Sequence, residues 1–294
     1  MQWWCTSTTE PWTWSYTAYP GIWLAMATLV GVYAWRWRRL RPEVLSGEDR
    51  WRAASFGAAV AVLWVMTDWP VGALASGYLA SLHMTQFVAY TLVVAPLLLV
   101  GIPPWMVPHL ADRRWAQVAT RPWVAGIAYN VVLIGTHTPV VTDTLRASSI
   151  GSMVMDAIWL AGGLLLWGPL ASPAHELRRR SYAVRCVYLF LAAAALPMLP
   201  GAFLVFAQFP LYETFELAPR IGDISATGDQ QAAGLIMKVG GMPIIWGVMA
   251  GLFVRWVTSE RDDDAARAEV LDLDLDLDGV APAAPSADGI GGAP

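Results

Sequence analysis

Residues 80–104 constrain the fold most, because they are almost continuously apolar and contain a single histidine, His83. About twenty apolar residues are enough for a helix to cross the hydrocarbon core of a bilayer. The stretch therefore predicts a transmembrane helix. Since an imidazole is costly to expose to lipid, His83 is a candidate functional residue that faces protein or water.

Six further apolar segments resemble this one, so we predict an all-α polytopic membrane protein, a seven-helix transmembrane bundle. Hydrophobic residues make up 56% of the 294-residue chain and charged residues 14%, which is more apolar than one soluble core requires. The predicted spans are residues 21–35, 53–67, 77–100, 124–141, 153–170, 184–206 and 232–256.

The arginines predict the orientation of the bundle. Sixteen of them lie in the loops after the first, third and fifth spans and beyond the seventh, whereas the opposite loops hold only Arg146 and Arg220. Positively charged loops stay in the cytoplasm. We therefore expect a multi-pass membrane protein with its N-terminus outside and its C-terminus in the cytoplasm.

The chain divides into three predicted parts. Residues 1–19 form a segment on the outer side, residues 20–257 form the transmembrane domain, and residues 258–294 form a cytoplasmic tail. A Leu-Asp repeat at 271–278 gives the tail dense negative charge, which favours disorder. Cys5 and Cys186 share no motif spacing, so neither a disulfide framework nor a thiolate metal site is indicated.

Counting residues along each predicted helix places the polar groups of several spans in one layer near the outer side. Because these groups come from different helices, the layer is the candidate functional site. Its members are His83, Met84, His137, Met155, Asp156 and Lys238, with Asp68 at the membrane edge.

Three interpretations of the layer compete. Imidazole and thioether groups suit copper, and methionine favours Cu(I), so His83, His137 and Asp156 could form a metal site with nearby methionines. Alternatively, Asp156 or Asp68 could form a structural ion pair with Lys238. In the third interpretation each polar group reaches water near the headgroups, and the methionines fill the core.

Seven short motifs, taken in order, resemble the multi-span CtaG family of cytochrome c oxidase assembly proteins. The resemblance covers about residues 20–257. The motifs are DWP at 68–70, LHMTQ at 82–86, APLLLVGIP at 95–103, HTP at 137–139, LWGPL at 166–170, PLY at 210–212 and DQQAAGLIM at 229–237.

The resemblance implies a seven-helix fold in the bacterial cytoplasmic membrane, a role in copper supply to a haem-copper oxidase, and oxidase subunits as partners within the lipid bilayer. The chain departs from the family pattern at four positions. Phe87 replaces a second histidine one turn after His83, Ser152 and Asp156 stand where another histidine pair is expected, and Lys238 replaces the usual tryptophan. The remaining metal ligands are predicted to be His83, Met84, His137, Met155 and Asp156.

Two roles follow from this sequence. In the first, the protein assists copper delivery to, or maturation of, the oxidase at the outer side of the membrane. In the second, it has lost metal binding and is a non-catalytic accessory subunit or scaffold of the oxidase complex. No catalytic motif is present, so we expect neither an enzyme nor a nucleic-acid partner. A transporter or channel is disfavoured because no continuous polar path is evident.

Overall fold

A computed structural model describes residues 2–178 and 181–279 of the chain, and side chains as far as Arg261 in the last helix. Over these ranges the protein is helical and contains no strand. Four helices are long and apolar enough to cross a membrane, and the number rises to six if each of two bent helix pairs is one span. The predicted all-helical membrane fold is confirmed at this level.

The helices follow the apolar segments of the sequence closely, because burial in lipid or protein demands continuous backbone hydrogen bonding. In chain order they are α1 Pro20–Leu40, α2 Gly47–Thr67, α3 Val71–Gly77, α4 Ala80–Val88, α5 Ala95–Gly101, α6 Arg114–Ala119, α7 Pro122–Thr136, α8 Pro139–Arg146, α9 Ser149–Ala171, α10 Tyr182–Leu189, α11 Met198–Phe206, α12 Glu213–Glu216, α13 Ala226–Leu235 and α14 Met242–Gly279.

Three π-helical turns join pairs of these helices into continuous spans. The turns are Ala89–Val94 between α4 and α5, Phe190–Ala195 between α10 and α11, and Ile236–Gly240 between α13 and α14. A proline follows each turn within three residues. Proline lacks an N–H and its ring clashes with the preceding turn of an α-helix, and the wider π turn relieves that conflict.

Two spans bend sharply at one end of the bundle. α3 turns by 50° from α2, and α8 turns by 73° from α7. The second bend corrects the prediction of one straight span over residues 124–141. Thr138 is extended, at ψ 127°, because the residue before Pro139 is disfavoured in the α region.

The short helices α3 and α8 meet the N-terminal segment, residues 2–19, at what we call the capped end of the bundle. The Ser7 N–H donates to the Arg146 carbonyl at 2.9 Å, and the Arg146 guanidinium reaches Ser76 of α3. The capped end therefore joins three separate parts of the chain over the N-termini of α4 and α9.

The span from α4 to α5 is the most buried of the candidate spans and lies at the centre of the bundle. Glycines let its neighbours approach closely, as is common between membrane helices. A Cβ added at Gly163 of α9 would lie 2.8 Å from Thr91 Cα and 2.8 Å from Ala95 Cβ. This packing places Trp159 of α9, which has no exposed surface, against α4.

The last span continues beyond the membrane segment. α14 runs to Gly279 and includes the Leu-Asp repeat in its helical backbone, whereas the sequence predicts a disordered tail from residue 258. The Ala- and Arg-containing stretch before the repeat has high helix propensity and extends the preceding turn. Residues 280–294, the remainder of the predicted tail, lie outside the described residues.

Candidate functional site

A buried ion pair between Arg146 and Asp156 dominates the polar layer. The Arg146 side chain is fully buried, and its Nη2 lies 3.0 Å from Asp156 Oδ1. The indole N–H of Trp4 donates to Asp156 Oδ2 at 2.8 Å. Both carboxylate oxygens are therefore occupied, one by a cation and one by a neutral donor.

The bend between α7 and α8 carries Arg146 into the bundle. Thr142 and Arg146 lie one turn apart on α8, and both side chains have no exposed surface. A straight span over residues 124–141 instead predicts Arg146 in the outer loop that follows it. The available signal was Pro139, which predicts a break in the helix although not its direction.

The guanidinium of Arg146 joins several helices at once. Nη1 donates to Ser76 Oγ and Nη2 to Gln86 Oε1, each at 3.2 Å. The guanidinium carbon also lies 5.2 Å from the centroid of the Trp159 ring, within cation–π range. These contacts connect α3, α4, α8 and α9 through one charged side chain.

The N-terminal segment is held against the same cluster. Thr6 Oγ1 donates to the Arg146 carbonyl at 2.5 Å, and Ser149 Oγ donates to the Trp4 carbonyl at 3.2 Å. Cys5 is buried between them and its Sγ donates to the Thr67 carbonyl at 3.4 Å. Burial raises the pKa of the Cys5 thiol well above its ordinary range, so this thiol stays protonated at neutral pH.

The structure does not bring Asp156 and Lys238 together. Asp156 pairs with Arg146, and no ion pair of Lys238 occurs among the described residues. The predicted ion pair is thus replaced by one to Arg146. Arginine suits the position better than lysine, because its planar guanidinium can donate hydrogen bonds to Ser76, Gln86 and Asp156 at the same time.

His83 and His137 both pack against Trp159. The His83 ring centroid lies 4.8 Å from that of Trp159, edge to face, and the His137 centroid lies 6.4 Å from it. Phe87 contacts both His137, at 4.7 Å, and Trp159, at 5.3 Å. We call these residues, with Arg146 and Asp156, the Trp159 cluster.

Each histidine has a ring nitrogen without a partner in the described structure. His137 Nδ1 donates to the Leu133 carbonyl at 2.6 Å, which leaves Nε2 as an unbonded acceptor. His83 Nδ1 is likewise buried without a hydrogen bond. Unpaired buried nitrogens are uncommon in proteins, and imidazole nitrogens of this kind are potential ligands of a soft metal ion.

The predicted metal ligands do not form one compact donor set. Met84 and Met155 are fully buried in the main apolar core, and Asp156 is committed to Arg146 and Trp4. Over residues 2–178 and 181–279, no three or more His, Cys, Asp or Glu side chains come close enough to hold a metal ion. The described residues therefore offer a metal ion at most one ring nitrogen from each of the two histidines, together with methionine sulfurs.

The family model described as cytochrome c oxidase caa3 assembly factor matches residues 31–259. No curated protein and no solved structure matches the chain. The match includes α2 to α13 and the whole Trp159 cluster, and it confirms the family that the sequence motifs indicate. The chain belongs to the family of cytochrome c oxidase caa3 assembly factors.

Proposed function

We propose that this protein supports maturation of a caa3-type cytochrome c oxidase as a non-catalytic scaffold that holds oxidase subunits in the membrane. The observation that carries this proposal is the Arg146–Asp156 pair at the centre of the polar layer. A fully buried guanidinium raises the electrostatic energy of any metal cation nearby. Asp156, the acidic candidate ligand, is already neutralised by Arg146. The polar layer therefore serves to hold helices together.

In this proposal the chain crosses the cytoplasmic membrane seven times with the capped end outside. The six candidate spans and α1, which has 21 residues, supply the seven helices. The arginine distribution supports the orientation. Because Arg146 is buried in the bundle, Arg220 is the only basic residue left in the outer loops, against sixteen arginines on the inner side.

Copper handling is the second candidate function, and the unpaired ring nitrogens of His83 and His137 favour it. In this role copper is cargo destined for the oxidase. Met84 and Met155 would supply soft sulfur ligands suited to Cu(I). Asp156 would contribute only if it left Arg146, which would expose a buried guanidinium without its counter-charge.

Copper content and oxidase assembly together distinguish the two roles. The purified protein would be loaded with Cu(I) and its metal measured, as wild type and as the His83→Ala/His137→Ala double variant. His109→Ala is the matched control, since its ring is 78% exposed in a loop. In parallel, each variant would be expressed in a strain lacking the gene, and the caa3 oxidase quantified by haem spectra and native electrophoresis.

The scaffold role predicts less than about 0.1 equivalent of copper in every sample and full oxidase levels with the double variant. About one equivalent in wild type and His109→Ala, lost in the double variant together with oxidase copper, would establish copper handling instead. Unchanged oxidase levels in the strain without the gene would refute both roles.

A further inference from the structure

A narrow groove surrounds Lys238, between the central span, the sixth span and the seventh. It encloses a cavity of about 40 Å³. Its walls are apolar apart from Lys238 and the phenol of Tyr129. They include Phe87 and Leu92 of the central span, Met198 of α11 and Trp246 of α14.

Lys238 is the only lysine of the chain. It lies in the π turn Ile236–Gly240 and is partly buried. No hydrogen bond or ion pair of its ammonium group is present within the described part of the chain. An ammonium group at the centre of a bilayer is costly, so such residues pair with an anionic group or reach water.

The depth of Lys238 follows from a neighbouring contact. Asp229 of α13 accepts the backbone N–H of Ala80 at 2.5 Å and of Ser81 at 3.3 Å. It therefore lies level with the start of the central span. Lys238 comes nine residues later, about 13 Å deeper along the helix at 1.5 Å per residue. A hydrocarbon core is about 30 Å thick, so Lys238 lies near its centre.

This depth excludes a lipid headgroup as the partner of Lys238. The four-carbon stem of lysine extends about half of the distance to either surface, and snorkelling to the interface works only near helix ends. An anionic partner at this depth must therefore come from a protein. A cavity of about 40 Å³ has room for a group of a few atoms, such as a carboxylate, and not for an aromatic ring.

A second copy of this chain cannot provide the carboxylate. Among the described residues, Asp156 is the only acidic side chain well inside a span, and its two carboxylate oxygens are bonded to Trp4 and Arg146. Asp68 and Asp229 lie at the ends of their helices. The partner is thus a different membrane protein.

We propose that Lys238 docks an aspartate or glutamate carried near the middle of a transmembrane helix of another protein. This inference rests on the proposed function in one respect, because the partner is then expected to be an oxidase subunit. The groove supplies apolar contact to the partner helix, and the ion pair fixes its depth and rotation. Desolvated pairs of this kind confer specificity of association.

Zero-length cross-linking tests the proposal, because the single lysine makes the chemistry specific to this site. Dicyclohexylcarbodiimide enters membranes and activates a carboxylate, which then forms an amide with an adjacent amine. Membranes containing the full chain would be treated, and adducts identified by peptide mass spectrometry. Three variants accompany wild type: Lys238→Arg keeps the charge but cannot form the amide, Lys238→Met removes the charge, and Val239→Met changes a neighbouring residue that is 58% exposed.

We expect an adduct joining Lys238 to an aspartate or glutamate of a transmembrane peptide in wild type and Val239→Met, and none in the two lysine variants. Co-purification of the partner should persist with Lys238→Arg and fall at least tenfold with Lys238→Met. An adduct that forms equally in the lysine variants, or no adduct while the partner co-purifies with all four proteins, would overturn the inference.

The result also separates this inference from the scaffold proposal. An adduct with a membrane protein unrelated to the oxidase would retain the Lys238 contact and refute the oxidase as partner. Co-purification of oxidase subunits without dependence on Lys238 would retain the scaffold and refute the contact.

Discussion

Replacing Asp156 by leucine should destabilise the protein by about 4 kcal/mol. The substitution leaves the guanidinium of Arg146 buried with only the neutral acceptors Ser76 Oγ and Gln86 Oε1, each at 3.2 Å. Breaking a buried pair by removing one partner typically costs about 3–5 kcal/mol. The leucine also removes the acceptor of the Trp4 N–H, while the cation–π contact with Trp159 remains.

A double-mutant cycle isolates the contribution of the pair. Arg146→Met alone should also be destabilising, because it leaves a buried carboxylate with only the Trp4 N–H. The variant carrying both Asp156→Leu and Arg146→Met buries no charge at this site. Apolar replacement of a whole pair is often neutral, so the double variant should lie within about 2 kcal/mol of wild type, and the coupling energy should reach at least about 3 kcal/mol.

The free energy of unfolding would be measured by titrating SDS into mixed micelles and following helicity by circular dichroism. Asp143→Leu is the matched control. Its carboxylate lies on α8 near Arg146 and accepts only the backbone N–H groups of Glu213 and Thr214, so a loss near 1 kcal/mol is expected. A loss of unfolding free energy below about 1 kcal/mol for Asp156→Leu would refute the view that this pair is the main interaction between these helices. Additive losses of the two single variants in the double variant would refute it as well.

Two smaller substitutions test the parts of the fold around the pair. Trp4→Phe keeps an aromatic ring but loses the N–H that is donated to the Asp156 carboxylate, so we expect a loss of about 1.5 kcal/mol of stability. Labelling of Cys5 by a maleimide should become faster, because a buried thiol is expected to react slowly. Unchanged labelling would contradict docking of the N-terminal segment. Gly163→Val should force the central span away from α9, because a Cβ at this position would lie 2.8 Å from Ala95 Cβ. It should lower the yield of folded protein and destabilise it by at least about 2 kcal/mol. The control Gly31→Val should be neutral, because a Cβ there would have nothing within 4 Å.

The helical membrane fold could be predicted from the sequence because apolar length is a local property. Each apolar segment from residue 21 to residue 256 corresponds to a helix or to helices joined by a π turn, except residues 124–141, which are divided between α7 and α8 by the 73° bend. The most constrained stretch, residues 80–104, contains the most buried span, Ala80–Gly101. The requirement that backbone groups bond internally in lipid leaves a long apolar run few alternatives to a helix.

The partner of Asp156 could not be predicted by the same reasoning. Depth was counted along straight helices, which put Lys238 in the layer and Arg146 outside it. Pro139 indicates a break in the helix, but the 73° turn of α8 depends on packing against α9 and the N-terminal segment. Those contacts are distant in sequence, since Ser7 and Arg146 are bonded across nearly half of the chain.

The π turns also could not be predicted from the local sequence. Prolines at positions 96, 197 and 243 predict disturbed helices. The sequence does not state whether a helix kinks, ends or widens at such a residue, because neighbouring helices decide which carbonyls are satisfied. At Lys238 the distinction matters, since the turn Ile236–Gly240 directs this part of the span toward the groove lined by Phe87 and Leu92.

Because Asp156 pairs with Arg146 and not with Lys238, Asp156 and Lys238 have different roles. An acid at this depth requires a cation, and Arg146 provides several donors to α3, α4 and α9 where Lys238 would provide one point charge. With Arg146 in place, Asp156 contributes to stability, and Lys238 has no counter-charge among the residues that the structure describes. Substitutions at Asp156 should therefore reduce folded protein before they affect any partner. Replacing Lys238 by an apolar residue should not lower stability, because the ammonium group has no stabilising contact within the described chain and is costly in hydrocarbon.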